Sequence, residues 1–244
     1  WLQKLLRRFL ATLVWAFVAL DTFLAFVVIA ILNPFDPDSK IAYRVANMWG
    51  KSLVWLNPFW SIRIQGQEHI KPRTGYVLVA NHLSLADIVC LYCLGKNFKW
   101  IAKDSLFKIP FFGWTMSLLS YIPLKRGRHG SIRDSFQEAQ EWLQKDVSVL
   151  MFPEGTRSRD GKLGEFKNGA FKLAILAQKP IVPIVIRGTN QVLSKGEATM
   201  TAGVHGSIKV LPLIEVTGYG PEEYEALKTK VRNLMKQELL NLSF

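Results

Sequence analysis

Residues 76–95 read YVLVANHLSLADIVCLYCLG: an unbroken apolar run, a polar turn and an apolar segment closed by Gly95. The run "YVLVA" predicts a buried strand, and "SLADIVCLYCLG" a helix with glycine as its stop. Between the two stand His82 and, five positions on, Asp87. A histidine directly after a buried strand sits at that strand's carboxyl end, where open α/β sheets place their chemistry. Residues five apart on an ideal helix turn away from each other, so contact between His82 and Asp87 requires a turn before the helix begins. Ser84 suits that turn as an N-cap, with Asp87 in the acidic place of a capping-box-like S-x-x-D. The same residues thus read both as a helix start and as a base with an orienting carboxylate.

The rest of the chain alternates in the same way. Strands are predicted at 61–66, 99–102, 121–124, 147–152, 181–186 and 207–211. Amphipathic helices are predicted at 131–146 and 221–240, the latter with Pro221 and two acids in its first turn, and a further helix at 168–178. The segment 107–120, FKIPFFGWTMSLLS, reads as a Pro- and Phe-rich connection. Strands alternating with helices imply an α/β fold: a mostly parallel sheet flanked by helices, over residues 61–244.

Residues 1–60 differ in texture. Phe9 to Leu32 are almost wholly apolar, interrupted only by Asp21, and roughly 20 such residues suffice to cross a bilayer. Residues 39–56 place Ile41, Val45, Met48, Trp49, Leu53 and Leu56 at helical spacing, with Lys40, Arg44 and Lys51 on the remaining surface. That composition suits a helix lying in the membrane interface. Two arrangements follow: a single span, or a membrane-embedded helical hairpin turning at NPFDPD. A carboxylate at the bilayer centre costs about 2.5–3.5 kcal/mol. Basic residues on both sides of the apolar run favour both ends on the cytoplasmic side. A hairpin inserted in one leaflet of the cell membrane, on its cytoplasmic face, is the expectation.

The net charge of +12 over 244 residues points to anionic partners. Eight cations lie between Lys96 and Arg133 against the single acid Asp104, interleaved with IPFFGW and YIPL. Alternating apolar and cationic groups suit an anionic bilayer. No recognition helix or RNA-binding signature supports nucleic acid as the partner. Cys90 and Cys93 read as small core residues on a helix, with no histidine beside them to make a metal site.

A second motif lies in LMFPEGTRSRDGKLGEFKNGAF, residues 150–171. A buried strand ends at Phe152–Pro153, and Glu154, Gly155, Thr156 and Arg157 form the turn. Glycine allows close backbone approach, threonine offers a hydroxyl, and the arginine fork suits phosphate. The spacing is not that of a Walker loop. The sequence holds no G-x-S-x-G elbow, no H-E-x-x-H and no Cys/His metal cluster. A His–Asp pair without a protein nucleophile suits direct, base-assisted attack by a substrate hydroxyl.

Together, NHLSLAD (81–87) and FPEGTRS (152–158) resemble motifs I and III of the glycerophospholipid acyltransferase family. YIPLKRG (121–127) and IVPIVI (181–186) occupy the places of motifs II and IV, in the family's order. The resemblance implies transfer of a fatty acyl group from acyl-CoA or acyl-carrier protein to the sn-2 hydroxyl of 1-acylglycerol-3-phosphate (lysophosphatidic acid), giving phosphatidic acid. It implies His82 as general base, Asp87 as its orienting partner, and no cofactor beyond the acyl donor. Arg126 and Arg157 match the family's phosphate-binding arginines, Lys103 lies in a recurrent family block and would join them at the phosphate, and Glu154, Gly155 and Thr156 would shape the acceptor pocket. Motif II departs from the family pattern, with Lys125 where an acid often precedes the arginine. Glycerol-3-phosphate or another lysolipid as acceptor, and a non-catalytic membrane-binding module, are the alternatives.

Overall fold

The structure, a computed structural model, describes residues 2–36, 39–56, 60–124, 129–158, 160–192 and 204–241. Its centre is a sheet of seven strands: β1 (Trp60–Gln65), β2 (Val77–Ala80), β3 (Phe98–Lys103), β4 (Ile122–Leu124), β5 (Ser148–Met151), β6 (Ile181–Arg187) and β7 (Val204–Val210). They lie in the order β1-β7-β6-β2-β5-β3-β4. Every neighbouring pair is parallel except β6 and β7. The helices are α1 (Leu2–Leu32), α2 (Lys40–Trp55), α3 (Ala86–Tyr92), α4 (Phe112–Leu118), α5 (His129–Gln144), α6 (Gly169–Ala177), α7 (Thr189–Val192) and α8 (Tyr224–Asn241).

The continuous apolar run of β2 has a simple cause. Side chains alternate across a sheet. Leu78 and Ala80 enter one core with Tyr43 and Ala46 of α2 and Cys90 and Leu91 of α3. Val77 and Val79 enter the other with Leu143 of α5, Leu173 of α6 and Val231 of α8. With helices on both faces, no position of the strand can be polar. Residues 1–60 share the first core, since Ile29 of α1 is fully buried within it.

α1 is one apolar helix, and its stretch Phe9–Phe35 is long and apolar enough to cross a membrane. Phe9, Leu13, Leu20, Leu24 and Ile31 are exposed along it. The helix meets α2 through polar contacts: Ser52 Oγ donates to Asp21 at 2.6 Å, and Trp49 Nε1 donates to Thr22 Oγ1 at 3.0 Å. The carboxylate inside the apolar run therefore has a hydroxyl partner. On its other side α1 packs against α4, with Phe23 edge-on to Phe111 at 5.1 Å. The carboxylate of Asp36 caps α2, accepting the N–H groups of Lys40 and Ala42.

Three features depart from the sequence reading. Residues 112–118 are helical, although the segment reads as a connection; Phe111 enters the helix at φ 59°, and a Cβ on Gly113 would lie 2.4 Å from the Phe107 carbonyl carbon. α8 begins at Tyr224, past Pro221 and its two acids. Third, Lys96 and Lys99 are buried rather than part of a basic surface. Lys96 Nζ donates to the carbonyls of Lys71 and Thr74, and Lys99 Nζ to that of Leu119 at 2.7 Å while lying 4.1 Å from the Trp142 ring centre. Burial pushes both ammonium groups down to about 8.

Candidate active site

β2 and β5 are parallel neighbours, with Val79 opposite Met151. Two motifs some 70 residues apart in sequence therefore leave the sheet side by side, at the strand ends where α/β folds gather function. Beyond Ala80 the ladder is extended by a side chain. Asn81 donates its amide N–H to the Ile186 carbonyl at 2.9 Å and accepts the Ile186 N–H at 2.7 Å. This fixes the backbone one residue before His82.

His82 Nδ1 lies 2.8 Å from Asp87 Oδ2. The same oxygen accepts the N–H groups of Leu83 at 2.7 Å and Ser84 at 2.9 Å, and Oδ1 accepts the Thr189 hydroxyl at 2.5 Å. A fully buried carboxylate surrounded by donors is an acceptor only, so Nδ1 carries the hydrogen and Nε2 is left with a free lone pair. The imidazole stacks on Phe152, ring centres 3.9 Å apart and 10° from parallel, with its side chain 14% exposed. The helix-start reading of NHLSLAD holds, and the same turn brings Asp87 within reach of the imidazole. Ser84 Oγ accepts the Ala86 N–H while Asp87 reaches back over the turn, and α3 starts at Ala86.

The second loop is tied to the first. Glu154 accepts the backbone N–H of His82 through Oε1 and that of Gly164 through Oε2, each at 2.9 Å. Ser158 N–H donates to the His82 carbonyl at 2.8 Å. Burial raises the Glu154 carboxyl above its usual range, opposed by the two N–H bonds. Its carboxylate holds backbone and does not line the adjoining cavity, which Gly155, Thr156 and Arg157 do.

That cavity, about 870 Å³, begins at His82 and runs between Ile29 of α1, Ala46 and Trp49 of α2, and Met116 and Leu119 around α4. Its size falls within the range of small-molecule sites. Lys103, at the end of β3, and Arg157 both line it, so the structure brings together His82, Asp87, Lys103, Gly155, Thr156 and Arg157. Arg126 lies outside the described residues. Sequence reasoning passed over Asn81, Thr189, Phe152 and Lys167. Lys167 also lines the cavity, and its Nζ would lie 3.1 Å from a Cβ on Gly155, which adopts φ 67°. Among the described residues no cluster of His, Cys, Asp or Glu could hold a metal ion.

Fold and site define an α/β domain with a His–Asp pair at its central strand ends and an apolar, cation-rimmed cavity beside it. The chain belongs to the acyltransferase family: the family model described as Acyltransferase matches residues 61–187, about half of the chain. It is 40% identical over 179 residues to the chloroplastic 1-acyl-sn-glycerol-3-phosphate acyltransferase LPAT1 of Arabidopsis thaliana, covering 72% of this chain and 49% of that protein. It is 36% identical over 176 residues to 1-acyl-sn-glycerol-3-phosphate acyltransferase alpha of Mus musculus, covering 71% of this chain and 62% of that protein. The chain thus spans about half the length of the chloroplastic relative. The crystal structure of the 1-acyl-sn-glycerophosphate (LPA) acyltransferase PlsC from Thermotoga maritima superposes with a TM-score of 0.83 at 28% identity, covering 98% of each chain.

Proposed function

We propose that this chain transfers a fatty acyl group from a thioester, acyl-CoA or acyl-carrier protein, to the sn-2 hydroxyl of 1-acylglycerol-3-phosphate, giving phosphatidic acid. The contact of His82 Nδ1 with the buried carboxylate of Asp87, beside an apolar cavity rimmed by Lys103 and Arg157, carries this reading. Nε2 takes the hydroxyl proton as the oxygen attacks the thioester carbon, forming a C–O bond and a tetrahedral intermediate. The C–S bond then breaks, and the proton passes from the imidazolium to the departing thiolate. Asp87 stabilises that imidazolium and keeps Nε2 free to act. Arg157 and Lys103 bind the acceptor's phosphate, with the Gly155–Thr156 turn, held by Glu154, beside it; the motif II resemblance assigns Arg126 to the same phosphate.

The lysolipid acceptor, rather than glycerol-3-phosphate, is the one named for the relatives, and the intact His–Asp geometry speaks against a non-catalytic module. Residues 1–60 form the membrane-binding segment and residues 61–244 the catalytic domain. The exposed apolar side of α1 supports insertion, with the domain on the cytoplasmic face of the cell membrane. Thiol release from palmitoyl-CoA, measured with lysophosphatidic acid, with glycerol-3-phosphate and with no acceptor, tests the reading. Release is expected only with lysophosphatidic acid and is expected to vanish in His82→Ala. Release dependent on glycerol-3-phosphate alone would move the acceptor assignment, and silence with CoA and carrier-protein donors alike would end it. Arg157→Ala is expected to raise KM for the phosphorylated acceptor while leaving KM for the donor in place.

A further inference from the structure

The apolar cavity adjoins a second depression. Ile132 and Phe136 of α5 and Gly169 at the start of α6 line both the cavity and an open groove of about 710 Å³ between these helices. Gly169 makes the shared wall possible: a Cβ there would lie 3.2 Å from Phe136 Cζ and 3.5 Å from Met151 Cε. The groove's chemistry is unlike the cavity's. Arg133 stands on its α5 side and Lys172 on its α6 side, both exposed, and no acid lines it among the described residues. Neither cation has a carboxylate partner among the described residues; Lys172 Nζ lies 4.2 Å from the Tyr224 ring centre. Gln137, Gln140 and Asn168 add amide groups; Asn168 Oδ1 already accepts from Lys228, and Gln137 Nε2 donates to Glu141 Oε1, outside the lining, at 3.3 Å.

We infer that the α5–α6 groove receives the carrier arm of the acyl donor, a phosphopantetheine thioester, while the donor's acyl chain lies in the apolar cavity. This rests on the acyltransferase reading above. A long-chain thioester is half hydrocarbon and half polar arm, and the arm carries two amides and ends in phosphate. The thioester carbon must reach His82, so the arm has to leave the cavity through some part of its wall. At Ile132, Phe136 and Gly169 the wall borders a groove that offers amides along its length and a cation on each side. Two opposed cations without acids between them suit a phosphate, whose charge-assisted bonds are the stronger kind. The arm is common to CoA and to acyl-carrier protein, so the site itself is indifferent to what lies beyond the phosphate.

The test is the double charge reversal Arg133→Glu/Lys172→Glu, at two exposed positions where substitution should leave the melting midpoint nearly unchanged. Steady-state thiol release is measured with palmitoyl-CoA, palmitoyl-loaded carrier protein and palmitoyl-pantetheine, which lacks the phosphate. The expected result is a rise in KM of about tenfold or more for phosphate-bearing donors. KM for palmitoyl-pantetheine and for lysophosphatidic acid should not change. A rise confined to the CoA donor or to the carrier-protein donor would identify the source of the arm. An unchanged KM for both, or an equal rise for palmitoyl-pantetheine, would overturn the inference. Calorimetric titration with phosphopantetheine gives a readout independent of turnover. If the unaltered protein released no thiol at all, the acyltransferase reading would fall. The titration would then decide the groove by itself: weaker binding to the double variant upholds it, and equal binding or none removes it.

Discussion

Asp87 holds four donors on two oxygens, and the pattern separates its structural from its chemical role. In Asp87→Asn the remaining oxygen can keep the Leu83 and Ser84 N–H groups and the imidazole, while the new amide faces Thr189. A hydroxyl can turn and accept, so the turn survives. What disappears is the negative charge opposite the imidazolium. The expected outcome is a fall in kcat of about 10²–10⁴ with stability changed by no more than ~2 kcal/mol, read by thiol release and thermal melting. Equal loss of folding and activity would make the carboxylate a purely structural group. His82 and Asp87 were legible in the sequence because they sit five residues apart beside a recognisable strand. Thr189 was not: it reaches Asp87 across 102 residues, and nothing near it marks it as a partner. Glu154 was legible as part of a motif but not in its action, because a carboxylate that grips backbone N–H groups looks the same in a sequence as one that meets substrate.

At the scale of elements, the crossing of α2 over α3 depends on Gly50. A Cβ there would fall 2.5 Å from Tyr92 Cβ, an atom fixed to its helix and unable to swing aside. Alanine would gain about 1 kcal/mol of helix propensity but lose roughly 1–3 kcal/mol to overpacking. The second effect wins, so Gly50→Ala should lower the denaturation midpoint. Because Ala46 and Trp49 on the same helix bound the cavity, KM for the acyl donor should also rise. An unchanged midpoint would mean that the two helices part without cost. Most elements were legible from period and composition. The direction of β7 was not, since an alternating strand reads identically from either side, and its pairings, antiparallel to β6 and parallel to β1, define it. α4 escaped because Pro110 and the phenylalanines beside it resemble a connection; its start is set by contacts with Phe107 rather than by a local cap.

For the molecule as a whole, the two buried lysines set a stability profile. Their ammonium groups titrate near 8 when folded and near 10.4 when unfolded. Between those values the unfolded chain binds more protons, so their contribution to stability rises with pH across that window and is absent below it. The melting temperature of the parent relative to Lys99→Met should therefore climb between about pH 8 and pH 10. A constant difference would mean that the Lys99 amine keeps its ordinary affinity for protons in the fold. The apolar side of α1 gives a second whole-molecule property. Binding to phospholipid vesicles should persist in about 1 M salt, where charge attraction is screened within a few ångströms. Leu13→Asp, Leu20→Asp and Leu24→Asp together should reduce the bound fraction, measured by co-sedimentation. Release of the parent by salt alone would make its attachment electrostatic.

The cavity's boundary crosses the limits of the family's common segment. Residues 61–187 carry the histidine, its carboxylate and the arginine turn, yet Ile29, Ala46 and Trp49, which close one side of the hollow, come before it. Reactivity and capacity are thus written partly in different stretches of the chain. Two relatives can agree at every motif residue and still accommodate guests of different size, because a helix outside the shared segment helps fix the room available.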